Sequence, residues 1–147
     1  MNRPALILCV ALFAFAAAQL VRPDEVNPPV DPAHSLWNDT RVDPQVAALL
    51  HRACANCHSH ETVWPWYAKV SPVSWLIAND VSHARHKLNF SQWKGGSKRI
   101  WGEIIDEVGK GEMPPSQYVW MHPEARLTEA DKKLLVTWVD SGPGREH

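Results

Sequence analysis

Cysteine is scarce in this chain of 147 residues: there are three, and Cys9 sits inside an N-terminal apolar run, which leaves only Cys54 and Cys57 beyond it. That excludes the several disulfides by which a small exported domain is usually stapled. It also excludes a structural zinc site of knuckle type, because no second cysteine pair supplies the remaining ligands. Charge of one sign is lacking as well. The formal net charge is −1 at neutral pH, with no basic run or stripe, so nucleic acid has no support as a partner. No alternating apolar–polar pattern marks a strand, and no internal repeat is visible. A Ser/His/Asp set, paired carboxylates in a plausible cleft and a phosphate loop are all missing, so these residues give no argument for an enzyme.

Long apolar runs are also missing. The longest, Ala5 to Ala18, falls short of the ~20 residues a comfortable membrane span needs. It follows the single positive charge of Met1-Asn2-Arg3-Pro4 and is rich in Ala, Leu and Phe, as the n- and h-regions of a secretory signal are. Ala16-Ala17-Ala18 offers the small residues that a signal peptidase requires, while Gln19-Leu20-Val21 extends the run toward a retained anchor. Residues 1–21 are therefore a signal peptide or a membrane anchor. Leu8 is too bulky for a lipobox ahead of Cys9. Either outcome delivers the rest of the chain to the periplasm or to the outer face of the cytoplasmic membrane.

What is present centres on Cys54-Ala55-Asn56-Cys57-His58. C-x-x-C-H is the attachment signature of c-type haem. Two thiols at this spacing on a turn can each form a thioether to one porphyrin vinyl group, and the imidazole that follows is held beneath the iron as proximal ligand. A thioredoxin-like redox pair would need a strand and a βαβ setting around the motif. The sequence before it is helical instead: Asp43-Pro44 is an N-cap with proline at the first helical position, and Val46, Leu49, Leu50 and Ala53 recur at helical spacing.

Ahead of this helix, residues 22–42 are proline-rich (Pro23, Pro28, Pro29, Pro32) and read as an extended linker or wrapping arm. Residues 43–147 form the expected domain. After the motif comes an aromatic loop, Val63-Trp64-Pro65-Trp66-Tyr67, then a helix opened by Ser71-Pro72 with Val73, Leu76, Ile77 and Val81 on its inner face, running to about Leu88. A third helix follows Lys94-Gly95-Gly96-Ser97, carries Ile100, Ile104, Ile105 and Val108 inward and stops at Gly109-Lys110-Gly111. Pro114, Pro115 and Pro123 stiffen the segment from Glu112 to Arg126, which is expected to be irregular. Thr128 and Asp131 then form a capping box for a last helix that carries Leu134, Leu135 and Trp138 and ends at Ser141-Gly142-Pro143.

A six-coordinate haem needs a second axial ligand. Met113, before Pro114-Pro115, presents its thioether from a stiff segment that cannot continue a helix. Met121 and His122 are the alternatives. His60 follows the motif too closely to cross to the other face, His83 and His86 lie near a helix end, and His34 and His51 have no special context. The eight tryptophans are expected to supply flat apolar walls for the cofactor, with at least one of Trp64, Trp66 and Tyr67 against the porphyrin or its propionate edge.

The order of parts resembles class I c-type cytochromes: a helix ending in C-x-x-C-H, a late Met-Pro loop and a capped terminal helix. More specifically, the chain is similar to the bacterial haem-binding domain family of cytochrome c-like proteins. The likeness runs through Gln19-Leu20-Val21-Arg22-Pro23, Asn27-Pro28-Pro29-Val30, Cys54-x-x-Cys57-His58-Ser59 with Thr62, and Pro65-Trp66-Tyr67. It continues through Val70-Ser71-Pro72-Val73-Ser74-Trp75-Leu76, Leu88-Asn89-Phe90-Ser91-x-Trp93, Met113-Pro114-Pro115 and His122-Pro123-x-Ala125-x-Leu127. The resemblance implies an all-α, cytochrome c-like helical domain around one covalent haem c.

Together these readings predict an exported c-type cytochrome that carries single electrons between redox partner proteins. Cys54 and Cys57 are its thioether anchors, His58 its proximal ligand and Met113 its distal ligand. A haem-based gas or redox sensor, or a peroxidase-like domain with an open or displaceable distal site, is the alternative.

Overall fold

The computed structural model describes residues 2–141. Among them are six α-helices and no strand: α1 (Arg3–Ala18), α2 (Pro44–His58), α3 (Val73–Lys87), α4 (Lys98–Lys110), α5 (Ser116–Met121) and α6 (Glu129–Asp140). Short 3-10 turns stand at Pro32–His34, Leu36–Asn38, Trp66–Lys69, Phe90–Gln92 and Pro123–Ala125. Gly142-Pro143, expected to end the last helix, lie outside the described residues.

Each helix begins and ends for a local reason. The Asp43 carboxylate accepts the Gln45 N–H at 2.7 Å, ahead of proline at the first position of α2. Ser97 caps α4 through Ile100 N–H, and Gly111, at φ +76°, closes it in the left-handed conformation that only glycine adopts without strain. Thr128 and Asp131 exchange side-chain and backbone bonds at the start of α6, as expected of a capping box. The segment from Glu112 to Arg126 is a correction: it is not irregular throughout but holds α5 and the following 3-10 turn. Pro115, at the N-cap of α5, ends one run of chain and still permits a helix to start after it.

The core joins α2, α4 and α6 to the arm. Leu36 and Val42 from the arm pack with Val46, Leu49 and Leu50 of α2, Val108 of α4 and Leu135 of α6. Indoles fill the remaining space. Phe90, Trp93, Trp101 and Trp138 form a contiguous aromatic row, with ring centroids 6.3, 5.2 and 4.4 Å apart, and the last two pairs meet edge to face. This corrects the expectation that the tryptophans wall the cofactor: Trp93, Trp101 and Trp138 belong to the protein's own interior, where α4 and α6 meet the turn after α3. Trp101 is 1% exposed, and the chain at Gly96 runs so close that a β-carbon there would lie 1.9 Å from the indole nitrogen. Glycine is required at that position because the ring occupies the space.

The inner face of α3 is also corrected. Ser74 and Val81 are buried, whereas Val73 and Leu76 are exposed, Leu76 at 56%. The helix approaches the body on its small residues, where the Ser71 and Ser74 hydroxyls pair at 3.0 Å, and the larger apolar side chains are left facing outward. In the second half of α2, two residues before Cys54, Arg52 donates to the carbonyls of Glu124 and Arg126 and pairs with Asp131 at 3.1 Å. That draws the start of α6 onto the helix that carries the motif.

α1 is apolar from Ala5 to Ala18 and none of its residues is buried. No helix among the described residues is long and apolar enough to cross a membrane.

Candidate haem site

The C-terminal turn of α2 carries Cys54, Cys57 and His58. Cys54 and Cys57 lie three positions apart on a helix and so share a face. Both are free thiols and half-buried. Burial pushes the Cys54 thiol up to about 12, with neighbouring Cys57 adding to the rise and Arg52 opposing it. Burial likewise pushes Cys57 up to about 11, helped by Asp80 and opposed by Arg85. Both sulfurs are therefore protonated at neutral pH. A dithiol redox catalyst needs the reverse, a thiol pulled down toward neutrality.

His58 is held by its backbone-facing nitrogen. Nδ1 donates to the carbonyl of Leu88 at 3.0 Å; a carbonyl can only accept, so the proton is on Nδ1 and the Nε2 lone pair is available. Burial lowers the imidazole's pKa, which keeps the ring neutral, and Phe90 stands 6.0 Å away, ring centre to ring centre. A carbonyl behind the ligating ring is the kind of support that fixes a metal-binding histidine's tautomer and orientation.

Asn56, a variable position of the motif, joins the surrounding segments. Its Nδ2 donates to Tyr118 Oη at 2.7 Å, its Oδ1 accepts the Val63 N–H at 3.0 Å, and its carbonyl accepts Thr62 Oγ1 at 2.6 Å. Tyr118 stacks on His122, with centroids 4.5 Å apart. His122 Nδ1 donates to Glu124 at 3.0 Å, so its Nε2 accepts the Tyr67 hydroxyl at 2.7 Å. Burial raises the pKa of both tyrosines, and the neighbouring Cys57 adds to the rise in each. Thus α5, the aromatic loop and the motif helix converge around Cys57.

Arg85 of α3 closes the other side, donating to Ser59 O at 2.8 Å, Thr62 Oγ1 at 2.9 Å, Val26 O at 2.8 Å and Asn27 Oδ1 at 2.8 Å. Asn56, Tyr118, Arg85 and Leu88 carry no mark in the sequence of the part they play here. A motif pattern is blind to the residues between its fixed positions, and the other three reach the site only through the fold.

The candidate axial ligands fare differently. His60 is buried with both ring nitrogens in use, Nδ1 toward Pro29 O at 3.2 Å and Nε2 accepting from Asn89 Nδ2 at 2.9 Å. Both nitrogens of His122 are engaged as described. His83 and His86 are exposed on α3, and His34 and His51 are exposed elsewhere. Met113 lies between α4 and α5, 38% exposed, with its N–H bonded to Glu107 O at 3.2 Å; Met121 ends α5 and is also exposed. The contacts that bring this part of the chain to the motif run through Tyr118 and His122.

A model of the haem-binding domain family matches residues 13–141. The chain belongs to that family. No curated protein and no solved structure matches it. The residues of this haem-binding domain suit the cofactor on two independent grounds. The residues combine two thiols on one helix face with an imidazole whose free nitrogen is the coordinating one. In addition, the Trp64 indole nitrogen, in the loop that follows the motif in the chain, is buried without a partner, a donor of the kind a haem carboxylate satisfies. Val63, Trp66, Leu76, Trp120 and Met121 are exposed, Trp120 at 83%.

Proposed function

We propose that this haem-binding domain is a cytochrome c-like carrier of single electrons, exported to the periplasm or the outer face of the cytoplasmic membrane, where it serves redox partner proteins. Cys54 and Cys57 would hold one haem c through thioethers, His58 Nε2 would be the proximal ligand and Met113 the distal one. Bound haem supplies reversible one-electron iron chemistry.

The observation that carries this reading is the Nδ1–H bond from His58 to Leu88 O. It leaves Nε2 as the only coordinating nitrogen and strengthens the ring as a donor. The placement of Cys54 and Cys57 three positions apart on one face of α2 supports attachment to the two vinyl groups of one haem. Asn56, through Tyr118 and Val63, keeps the neighbouring loop and α5 in place around the motif, and the half-buried aromatic residues exclude water from it.

One observation favours the sensor or peroxidase-like alternative: the imidazoles of His60 and His122 are both engaged, and Met113 is exposed. A distal thioether so placed is displaceable. Two measurements test the proposal. Acid–acetone extraction should leave haem on the wild type and release it from the Cys54→Ala/Cys57→Ala variant; complete extraction from wild type refutes covalent attachment. A reduced spectrum unaltered by CO supports the carrier, and ready CO uptake replaces it with the alternative.

A further inference from the structure

The segment that joins α1 to the body has no slack. At the base of α1, the Gln19 side chain donates to Phe15 O at 2.9 Å and to Ser71 O at 3.1 Å, and its Oε1 accepts the Ser71 N–H at 3.0 Å. Ser71 is buried, so this two-way bond fastens the helix end directly to the residue before Pro72 and α3. Two residues further, Val21 O accepts the Trp75 indole N–H at 2.7 Å. The arm then runs along α3 to Arg85, which binds Val26 O and Asn27 Oδ1. Beyond it, Asn27 Nδ2 donates to Thr62 O at 2.8 Å and Pro29 O accepts from His60. Prolines at 23, 28 and 29 stiffen the backbone between these points.

α1 itself has no polar face. A helix that is apolar all round is either buried in protein or placed in lipid, and α1 is exposed along its length, with Ile7 at 69% and Phe13 at 78%. Its 16 residues measure about 24 Å at about 1.5 Å each, against a hydrocarbon core of about 30 Å. A helix shorter than the core is accommodated by local thinning of the bilayer and by flanking side chains that reach the headgroups, which leaves a body fixed to its end close to the membrane surface. Here that end is Gln19, and what is fixed to it is the start of α3. Exposed Leu20 and Val21 and partly exposed Trp75 continue the apolar surface there, with exposed Arg22 and Lys69 beside them. An indole with its N–H satisfied and its ring toward an interface suits headgroup depth, as do long basic side chains.

We propose that α1 enters a lipid bilayer and that the Gln19–Ser71 and Trp75–Val21 bonds seat the start of α3 on the bilayer surface, so that the haem-binding body holds one attitude to the membrane instead of swinging on a tether. This rests on the reading that the N-terminal segment is a retained anchor. The full haem-loaded chain is reconstituted in phosphatidylethanolamine/phosphatidylglycerol vesicles doped with a lipid carrying a diazirine in its headgroup, irradiated, and mapped by mass spectrometry. Adducts on residues 67–76 should exceed those on α6 several-fold. In Gln19→Ala/Trp75→Phe, which keeps the aromatic ring and removes the bonds, the excess should fall toward parity while the protein still floats with the vesicles. Flotation of the wild type with adducts spread evenly over the body overturns the fixed attitude and leaves the anchor standing. Failure to float, or a purified chain that begins after Ala18, overturns the anchor and the proposal with it.

Discussion

Replacing Arg85 tests whether the arm, the end of α2 and the loop after it are held as one unit. Its guanidinium makes four hydrogen bonds, of which those to Ser59 O and Thr62 Oγ1 are partly buried and those to Val26 O and Asn27 Oδ1 are exposed. Exposed partners recover water when the side chain is lost, so they are discounted. The shielded pair, at about 1.5 kcal/mol per bond to a charged group, makes Arg85→Ala destabilising by about 3 kcal/mol. At roughly 3–4 °C per kcal/mol for a domain of this size, Tm drops by about 10 °C. Arg85→Lys keeps the charge but not the planar fork, and recovers about half of the loss. Thermal unfolding of the haem-loaded protein by circular dichroism reads both values. A double-mutant cycle with Thr62→Val isolates one bond, with an expected coupling of about 1 kcal/mol. If Arg85→Ala melts within about 2 °C of wild type, the argument from these bonds is wrong. If Arg85→Lys is as unstable as Ala, charge and fork geometry are irrelevant and the side chain acts by packing alone.

Met113→Ala should abolish the near-infrared Met–Fe(III) band, lower the reduction potential and admit CO, whereas Met121→Ala should leave the band; the reverse pattern moves the ligand to Met121. Leu36→Ala, which truncates a fully buried arm residue, should cost about 2–5 kcal/mol in denaturant unfolding, and a smaller loss means that the arm is not part of the core. Asp39 is held at about 2 instead of 3.8, first by its hydrogen bond from Arg41, with Trp93 Nε1 also donating. A depressed carboxylate stabilises the fold above its unfolded value and loses that effect as pH falls, so the contribution should be complete above pH 3.8 and vanish toward pH 2. In Asp39→Asn, Tm should fall at neutral pH and the difference from wild type should close in acid.

Helices α2, α3, α4 and α6 are legible in the sequence because their signals are local: Asp43-Pro44, Ser71-Pro72, Ser97 with Gly111, and Thr128 with Asp131 sit within a few residues of what they control. α5 escapes notice because it is short, buries none of its side chains fully, and follows prolines that look like a barrier to any helix. The inward face of α3 is misjudged for a related reason. Periodicity ranks residues by size and hydrophobicity, and so favours Val73 and Leu76 over Ser74, the residue that lets the helix approach. The tryptophans show the same limit: composition counts indoles but does not say which of them meet. Within the site, C-x-x-C-H is local and readable. The Leu88 carbonyl behind His58 lies 30 residues away in the chain, and a carbonyl leaves no mark in a sequence because every residue has one. Tyr118 lies 62 residues from Asn56 and reaches it only once α5 has folded back.

The close approach at Gly96 sets an unusual pattern of mutational tolerance. Loops accept substitutions more readily than helices do, and residues 94–97 lie in one. Yet even alanine at 96 must displace Trp101, a ring wedged edge to face between Trp93 and Trp138. The disturbance would pass along the aromatic row toward Phe90 and the ring of His58. In a screen of random variants, this surface turn should therefore behave as an interior position. Its neighbour Lys94, equally far from any helix and exposed, should vary freely.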